Sequence, residues 1–325
     1  MIRGFDAEFS SLEHYIIQIT ERIWEGGQTD LIEKHYDRDC VVESPLGLSR
    51  GLEAIIDGTK STLSTFPDRR LLDEAVLVSG SADLGFLSSH RIFSPMTHAG
   101  PGRFGVPTNR PVFVRTIADC VCRENRIVHE WLVRDHGAIA RQIGLLPSTL
   151  AKDWLRLEPG WSTPRPSFAP APFSPSIHVS GHYLQYLESL PRLFGRIENK
   201  TVRDEQLIHG SVISWHPGGF TSVGVSQRQG RVRSLIDGLS FYSIDVESAT
   251  IHPHPNPQKS TLALRFRLRL VHNRYGHYGE PTGTTINTLV IQHIDFCDGK
   301  VIGEWILIDE VSIWMQILSA RASHL

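Results

Sequence analysis

The sequence repeats itself with an offset of 174 positions. Residues 90–143 and 264–317 can be compared without a gap, and 13 of the 54 pairs are identical. The identities cluster at 98–108, 130–135 and 139–143, whereas chance matches would be scattered. Such a repeat predicts that the chain folds as two copies of one domain and not around a single large core.

The matched residues fall into three groups. They pair His98, Gly102, Gly105, Pro107 and Thr108 with His272, Gly276, Gly279, Pro281 and Thr282; Glu130, Trp131 and Asp135 with Glu304, Trp305 and Asp309; and Ile139, Gln142 and Ile143 with Ile313, Gln316 and Ile317. Upstream, the tripeptide Ile-Asp-Gly at 56–58 recurs at 236–238. Upstream of residues 90 and 264 the two copies are otherwise less similar, as expected if they no longer have the same function.

A proline-rich stretch separates the two copies. Residues 147–178 contain prolines at 147, 159, 164, 166, 170, 172 and 175 among Ser, Ala and Gly. Proline has no backbone N–H to donate, so this composition predicts an extended linker and not a helix or a central strand. We therefore expect a first domain over 1–146, a linker over 147–178 and a second domain over 179–325.

The charge balance argues against a polyanionic partner. The 325 residues carry 33 basic and 35 acidic side chains, a formal net charge of −2. Binding to a nucleic acid or an anionic membrane surface requires an excess of basic side chains that this chain lacks. No apolar run reaches the roughly 18 residues of a membrane span, and the four cysteines are too few to stabilise a chain of this size by disulfides. We expect a soluble, cytoplasmic protein.

Within one copy, helical patterns come first and strand patterns follow. Apolar residues from Phe9 to Ile23 recur at spacings of 3 and 4, which predicts an amphipathic helix, and 51–63 predicts another. From about residue 74 to 133 the pattern changes to β-strands separated by turn residues. The predicted fold class is α+β, with a curved antiparallel sheet and helices on one face.

These motifs resemble the SnoaL-like polyketide cyclase family, whose members have the cone-shaped α+β fold of the nuclear transport factor 2-like superfamily. The resemblance rests on 23–37, on His98 with Pro107-Thr108, and on the closing Glu-Trp-x3-Asp-x6-Gln pattern that starts at Glu130 and again at Glu304. It covers nearly the whole first copy and the last two-fifths of the second. It implies two tandem cone-shaped barrels, each with a conical pocket between sheet and helices.

The resemblance also implies a chemistry. In the best known members of the family, an aspartate on the closing strand is the general acid and base for an intramolecular aldol ring closure of a polyketide ester, with no cofactor. In this sequence Leu132 and Ile306 stand where that aspartate is expected, and Val106 and Glu280 replace the first of a pair of prolines.

Glu130 and Glu304 are the leading catalytic candidates. Each is the only acid in the middle of its closing strand and is flanked by apolar residues on the same face. Apolar surroundings raise the pKa of a carboxyl group toward neutral pH, as a general base requires. The alternative is a buried structural glutamate that pairs with an arginine.

Two further pairs have a structural and a functional interpretation. Asp135 and Asp309 fall where a strand gives way to a helix, so each can cap a helix N-terminus or face a pocket. Trp131 and Trp305 can fill core volume or line a site for a flat ligand.

Three histidines complete the candidates. His98 and His272 precede glycine-rich turns and are candidate catalytic groups, and His129 lies beside Glu130 as a candidate pocket residue. No set of side chains has the spacing of a zinc site, and no glycine-rich loop has the pattern of a nucleotide site. We expect no cofactor and no metal.

Three functional hypotheses follow. The first is a cofactor-free acid–base enzyme of the cyclase or isomerase kind, acting on a hydrophobic carbonyl compound. The second is a module that binds a small hydrophobic ligand without catalysis. In the third, a degenerate second copy serves as an intramolecular partner of the first, so that the chain is a pseudo-dimer and either a monomer or a homodimer in solution.

Overall fold

The computed structural model describes residues 2–164, 179–195 and 206–322. The helices of the first unit are α1 (Leu12–Thr20), α2 (Leu31–His35), α3 (Gly51–Thr65), α4 (His136–Ile143) and α5 (Pro147–Leu157). Its strands are β1 (Tyr36–Ser44), β2 (Gly47–Arg50), β3 (Leu72–Ser81), β4 (Gly85–Thr97), β5 (Pro111–Arg123) and β6 (Arg126–Arg134). A π-helical turn over Glu21–Glu25 extends α1.

The second unit repeats this order. Its described helices are α6 (Gly181–Phe194), α7 (Val225–Leu235) and α8 (Glu310–Ala322). Its strands are β7 (Ile208–His216), β8 (Phe220–Val223), β9 (Leu239–Pro253), β10 (Lys259–His272), β11 (Thr285–Cys297) and β12 (Lys300–Leu307).

The two sheets have the same strand order and the same register. The orders are β2-β1-β6-β5-β4-β3 and β8-β7-β12-β11-β10-β9. In the first sheet Ala118 lies opposite Leu132, and in the second Gln292 lies opposite Ile306, again 174 positions later. A register shift after residue 121 of β5 is repeated after residue 295 of β11. The α+β class and the two barrel-like units predicted from the repeat are confirmed.

One feature of the predicted sheet is wrong. Each sheet is mixed and not purely antiparallel, because β1 pairs with β6 in parallel and β7 pairs with β12 in the same way. The sequence of β1 carries charged residues without strict alternation, so its strand character was not visible from pattern alone. Both parallel strands lie next to the closing strand that carries the candidate glutamate.

The proline-rich stretch is not extended throughout. Residues Pro147–Leu157 form helix α5, with Pro147 in the first turn, where a missing N–H does no harm. Leu150, Ala151 and Trp154 form its buried side and pack with Val311 and Met315 of α8. The part from 165 to 178 lies outside the described residues, and the domain boundaries stay a prediction.

The two sheets pack against each other through the faces that point away from their own helices. Leu87, Ile117 and Val121 of the first sheet share one buried cluster with Leu289 and Ile291 of the second. Side chains therefore alternate along each strand between a unit's own interior and the contact between units. This alternation decides which predicted residues can reach a pocket.

Candidate active site

A pocket lies between the first sheet and the helices that cover it. It encloses about 760 Å³ of space between atoms, part of it continuous with solvent. Its apolar lining residues are Ile16, Ile19, Trp24, Phe66, Leu71, Ile92, Met96, Val114, Ala118, Ile127, Leu132 and Ile139. Its polar lining residues are Thr20, Tyr36, Thr62, Arg69, His90, Ser94, Thr116, Cys120, Glu130 and Arg134.

Glu130 lies in the wall of this pocket, on the same face of β6 as Leu132 and Arg134. The Tyr36 hydroxyl donates a hydrogen bond of 2.9 Å to Oε2 of Glu130. The other oxygen, Oε1, has no hydrogen-bond partner among the described residues, and no cation there lies within 4 Å of the carboxylate. Oε1 is therefore the atom that remains for a ligand.

The surroundings of Glu130 make it a stronger base than a carboxylate in water. Burial raises the pKa of Glu130 above its ordinary value of 4.5, although the Tyr36 hydrogen bond and the charge of Arg134 oppose the rise. Burial also raises the pKa of Tyr36 well above its ordinary value. Tyr36 therefore keeps its proton and remains a hydrogen-bond donor to the carboxylate.

A second titratable pair lies in the same wall. His90 of β4 is 2% exposed, and its Nε2 lies 2.7 Å from Oδ1 of Asp73 on the neighbouring strand β3. This contact places the ring proton on Nε2 and leaves Nδ1 as an acceptor, with no hydrogen bond to any described residue. A histidine oriented by a carboxylate is the arrangement that proton transfer requires.

Two guanidinium groups complete the polar lining. Arg134 ends β6, and Arg69 comes from the loop after α3. The loop is fixed on both sides of Arg69: Asp68 accepts from the backbone and the hydroxyl of Thr97 at 2.7 and 2.6 Å, and Arg70 pairs with Glu25 at 2.6 Å. The Arg69 side chain is thereby directed into the pocket.

The equivalent glutamate in the second unit has a different environment. Arg228 of α7 binds both oxygens of Glu304, at 2.9 Å on Oε2 and by a short contact on Oε1. Ser214 and Tyr186 donate to the same carboxylate at 2.7 and 3.0 Å. Burial alone would raise the pKa of Glu304, but the charge and hydrogen bonds of Arg228 outweigh it and lower the pKa below its ordinary value. Glu304 is a structural ion pair.

Apolar side chains replace most of the polar pocket residues in the second unit. Leu264 stands in the place of His90, and Ile308 in the place of Arg134. Phe266, Leu268 and Leu270 replace Ile92, Ser94 and Met96 and belong to one large buried cluster. The space that remains beside Ile306 and Ile308 is smaller, about 480 Å³ against about 760 Å³ in the first unit.

The first unit is similar in sequence to one known family. Residues 14–143 match the sequence model of the family described as SnoaL-like polyketide cyclase. The first unit is SnoaL-like over these residues. No match was found among curated proteins.

Solved structures with a similar fold include TsrD from Streptomyces laurentii, at 19% identity and a TM-score of 0.37 over 44% of this chain and 99% of that one. A SnoaL-like polyketide cyclase from Agrobacterium tumefaciens matches at 21% identity and a TM-score of 0.34, over 42% of this chain and 100% of that one.

Trp131, Trp305 and His129 were predicted as pocket residues and lie outside the pocket of the first unit. Trp131 and Trp305 lie in the contact between the two sheets, because odd positions of β6 and the matching positions of β12 point away from the helices. His129 points the same way as Trp131: its ring lies 4.1 Å from that of Trp131, and its Nε2 lies 3.9 Å from a Glu43 oxygen. The two tryptophans thus belong to the buried cluster that joins the units.

Asp135 and Asp309 are helix caps that also join the units. Asp135 accepts from the backbone N–H of Ala138 at 2.9 Å, as a cap of α4 should. It also accepts from the N–H groups of Gly218 and Gly219 in the second unit, at 2.9 and 3.0 Å. Asp309 accepts from the N–H of Val311 at 3.0 Å and lies 2.7 Å from the His136 ring in the first unit.

His98 and His272 hold turns and do not line the pocket. Nδ1 of His98 lies 3.2 Å from the hydroxyl of Thr108, and Nδ1 of His272 lies 3.1 Å from that of Thr282. Burial lowers the pKa of both rings, which keeps them neutral. The recurring His and Thr residues thus close the same loop in each unit.

Four polar pocket residues were not identified from the sequence: Tyr36, Arg69, His90 and Arg134. Asp73, which contacts His90, was not identified either. Residues that recur in both copies mark the shared scaffold. Glu130 recurs as Glu304, but His90 and Arg134 do not recur and have the apolar counterparts Leu264 and Ile308. The signal that identifies His90 and Arg134 is a polar residue in one copy opposite an apolar residue in the other, at a strand position that faces the interior.

The described residues contain no group of three or more His, Cys, Asp or Glu side chains placed to hold a metal ion. No helix in the described ranges combines the length and the apolar character needed to cross a membrane. The polar groups of the pocket that can move or bind a proton or hold a charge are Glu130, Tyr36, His90, Arg69 and Arg134.

Proposed function

We propose that the first unit is an acid–base enzyme of the cyclase or isomerase kind, acting without a cofactor on a hydrophobic carbonyl compound. The observation that carries the proposal is the contrast between Glu130 and Glu304. Glu130 faces an apolar pocket with one free oxygen and no ion pair within the described residues, whereas Glu304 is held by Arg228. A buried carboxylate with a raised pKa and a free oxygen is suited to remove a proton next to a carbonyl group.

The reaction begins with a proton transfer. Oε1 of Glu130 takes the proton from the carbon next to the substrate carbonyl, and the electrons of that C–H bond form an enolate. In an isomerisation the proton returns to a different carbon. In a cyclisation the enolate carbon forms a bond to a second carbonyl carbon of the same molecule, and the resulting alkoxide takes the proton back. Glu130 ends each cycle as it began.

His90 is the second group that can move a proton in this pocket. Its Nδ1 is an acceptor because Nε2 faces Asp73 at 2.7 Å. Proton transfer to His90 leaves an imidazolium beside a carboxylate, which stabilises the charge. Two such groups in different walls allow one to remove a proton and the other to protonate the developing oxygen, as enolate chemistry requires.

For the second unit we propose a structural role as the permanent partner of the first. Its smaller and more apolar interior and its ion-paired Glu304 support this role. Its sheet also covers the outer face of the first sheet, where Trp131 and Asp119 would otherwise be exposed to water. A single chain thereby supplies a contact that would need a second molecule if the first unit stood alone.

The test is deuterium exchange from D2O into the carbon next to the carbonyl of 2-tetralone and of phenylpyruvate, followed by NMR. The wild-type protein is expected to accelerate exchange, and Glu130→Gln to reduce the enzymatic rate by at least about 100-fold. Glu33→Gln, at an exposed position of the same unit, serves as the control. Full exchange activity in Glu130→Gln would remove that residue from the mechanism, and binding without exchange in the wild type would favour a ligand-binding module.

A further inference from the structure

We infer that the ligand of the first-unit pocket carries a carboxylate and that Arg69 binds it. The inference rests on the proposed function only for the choice of site, and it specifies the substrate class. Arg69 is buried in the pocket wall and has no anionic partner within hydrogen-bond distance among the described residues.

Arg69 is 7% exposed, and its Nε is fully buried with no hydrogen-bond partner among the described residues. The acid whose charge acts on Arg69 is Glu25, which already pairs with Arg70 at 2.6 Å and accepts from the N–H of Leu71 at 2.8 Å. Arg134 adds a second positive charge to the same pocket. Burial, with the Arg134 charge, lowers the pKa of Arg69 to about 9, so the guanidinium is still charged at neutral pH.

Each of the other buried arginines in the described residues is paired with a carboxylate. In the described residues, Arg91 donates to Glu74, Arg228 to Glu304, Arg265 to Asp119 and Arg267 to Glu43. Leaving a guanidinium buried without a counter-charge is costly, and a chain does not keep one without a compensating partner. Of the described arginines that are buried, Arg69 departs from this pattern, and it does so in a pocket where a ligand can supply the missing anion.

The remaining charges of the pocket do not satisfy Arg69. Glu130 is bonded to Tyr36 and is under the influence of Arg134, and Asp73 is engaged by His90. With Glu130 ionised, the two arginines leave a surplus of one positive charge in the lining. A carboxylate is the group whose two oxygens match the planar fork of a guanidinium, and it brings the single negative charge that balances the pocket.

A neutral ester would leave the surplus charge in place. It can accept a hydrogen bond from Arg69 but offers no counter-charge, so a charged pocket discriminates against it. The inference therefore separates this pocket from the ester substrates that the family resemblance implies. It also orients the ligand, with its acid at the loop after α3 and its apolar body against Ile92 and Met96.

The test compares 2-naphthoate with methyl 2-naphthoate by isothermal titration calorimetry. Both have the same aromatic body and neither has a proton that can be removed next to a carbonyl, so binding is measured apart from catalysis. The wild type is expected to bind the acid about 10- to 100-fold more tightly than the ester. Arg69→Met should abolish this preference, and Arg69→Lys should retain part of it because the charge remains but the fork is lost.

Arg38→Met is the matched control, because Arg38 is an exposed arginine of the same unit. It should keep the preference of the wild type. Equal binding of acid and ester by the wild type, no binding of the acid at millimolar concentration, or an unchanged preference in a folded Arg69→Met protein would each overturn the inference. The comparison of acid with ester binding by the wild type needs no variant. It therefore tests the inference even if Arg69→Met does not fold.

The outcomes also separate this inference from the proposed function. A clear preference for the acid together with exchange activity that survives Glu130→Gln would reject the catalytic role of Glu130 and keep the carboxylate site. Exchange that depends on Glu130 together with equal binding of acid and ester would reject the carboxylate site alone.

Discussion

The guanidinium of Arg91 lies 3.4 Å from the centre of the Trp305 ring. The contact is repeated by the residues 174 positions away, since the guanidinium of Arg265 lies 3.6 Å from the centre of the Trp131 ring. Each unit thus places one arginine on the tryptophan of the other, and the contact has the two-fold character of a homodimer within one chain. This pair of contacts explains why tryptophan and arginine recur in both copies.

The paired stacking contact should be measurable as a coupling energy. Arg91→Met and Trp305→Leu should each destabilise the protein, and the double variant should be destabilised by less than the sum. A coupling energy of about 1–2 kcal/mol is expected for a buried cation–π contact. Urea unfolding of the wild type, both single variants and the double variant gives the value. Arg156→Met, at an exposed arginine, should change the free energy of unfolding by less than about 0.5 kcal/mol.

Additive effects of Arg91→Met and Trp305→Leu would show that the two side chains stabilise the protein independently. The stacking of Arg91 on Trp305 would then be no more than a consequence of packing.

The two equivalent glutamates should respond in opposite ways to the same substitution. Glu304→Gln leaves Arg228 charged and buried without its partner, which should lower the free energy of unfolding by about 3–5 kcal/mol. Glu130→Gln removes a group whose charged form is disfavoured by burial, so it should change stability by less than about 1 kcal/mol. Thermal and urea unfolding of the two variants check this difference. Similar losses in both would mean that Glu130 also has a structural partner.

The pocket can be tested by copying the second unit into the first. Ser94→Leu introduces the residue found at the equivalent position 268 and adds apolar volume to the pocket wall. It should keep the free energy of unfolding or raise it by about 1 kcal/mol, because it buries more apolar surface. It should also weaken the binding of 2-naphthoate and slow deuterium exchange. A variant that binds and exchanges like the wild type would place the ligand elsewhere.

Stability should decrease with rising pH between about 4 and about 6 because of Asp135. Burial raises the pKa of Asp135 to about 6 from the ordinary 3.8, although the N–H groups of Gly218, Ala138 and Gly219 oppose the rise. The folded state then holds the proton more tightly than the unfolded state. The stability that Asp135 adds by holding this proton is fully present below pH 3.8. It is lost as pH rises to about 6, and the loss in the free energy of unfolding is on the order of 3 kcal/mol.

Asp135→Asn should flatten this part of the stability profile, because asparagine does not titrate. Urea unfolding at several pH values between 4 and 7 measures the difference between variant and wild type. The exposed Asp153→Asn is the control and should leave the slope unchanged. A difference between Asp135→Asn and wild type that is the same at every pH would contradict the raised pKa.

The activity profile should report the pKa of Glu130. A general base must be ionised, so kcat/KM for exchange should fall as pH decreases through the raised pKa of Glu130, at a pH above its ordinary 4.5. Tyr36→Phe removes the hydrogen bond that lowers this pKa, so the acidic limb should move to higher pH. An acidic limb that stays in place in Tyr36→Phe would indicate that another group controls the rate.

The sequence by itself determined the repeat and the scaffold that the repeat encodes. The offset of 174 predicted two equivalent units, and the strand register agrees with it at pairs such as Ala118–Leu132 and Gln292–Ile306. The capping role of Asp135 could be predicted because a helix cap is a local contact, here with the N–H of Ala138. Gln142 stood out only because it recurs as Gln316, and its contact is made between distant residues. Gln142 bonds the backbone of Phe113, and Gln316 bonds that of Asn287 in the same way.

The tertiary structure decided which copy has a pocket lined by polar groups and which residues meet in it. Tyr36 and Glu130 are far apart in the sequence, and their contact depends on a parallel pairing of β1 with β6 that no local pattern indicates. Glu304 is ion-paired and Glu130 is not, because α7 carries Arg228 and the equivalent helix α3 carries no arginine. Whether a buried acid is a base or half of an ion pair depends on neighbours brought in by other elements, and only the folded chain assembles those neighbours.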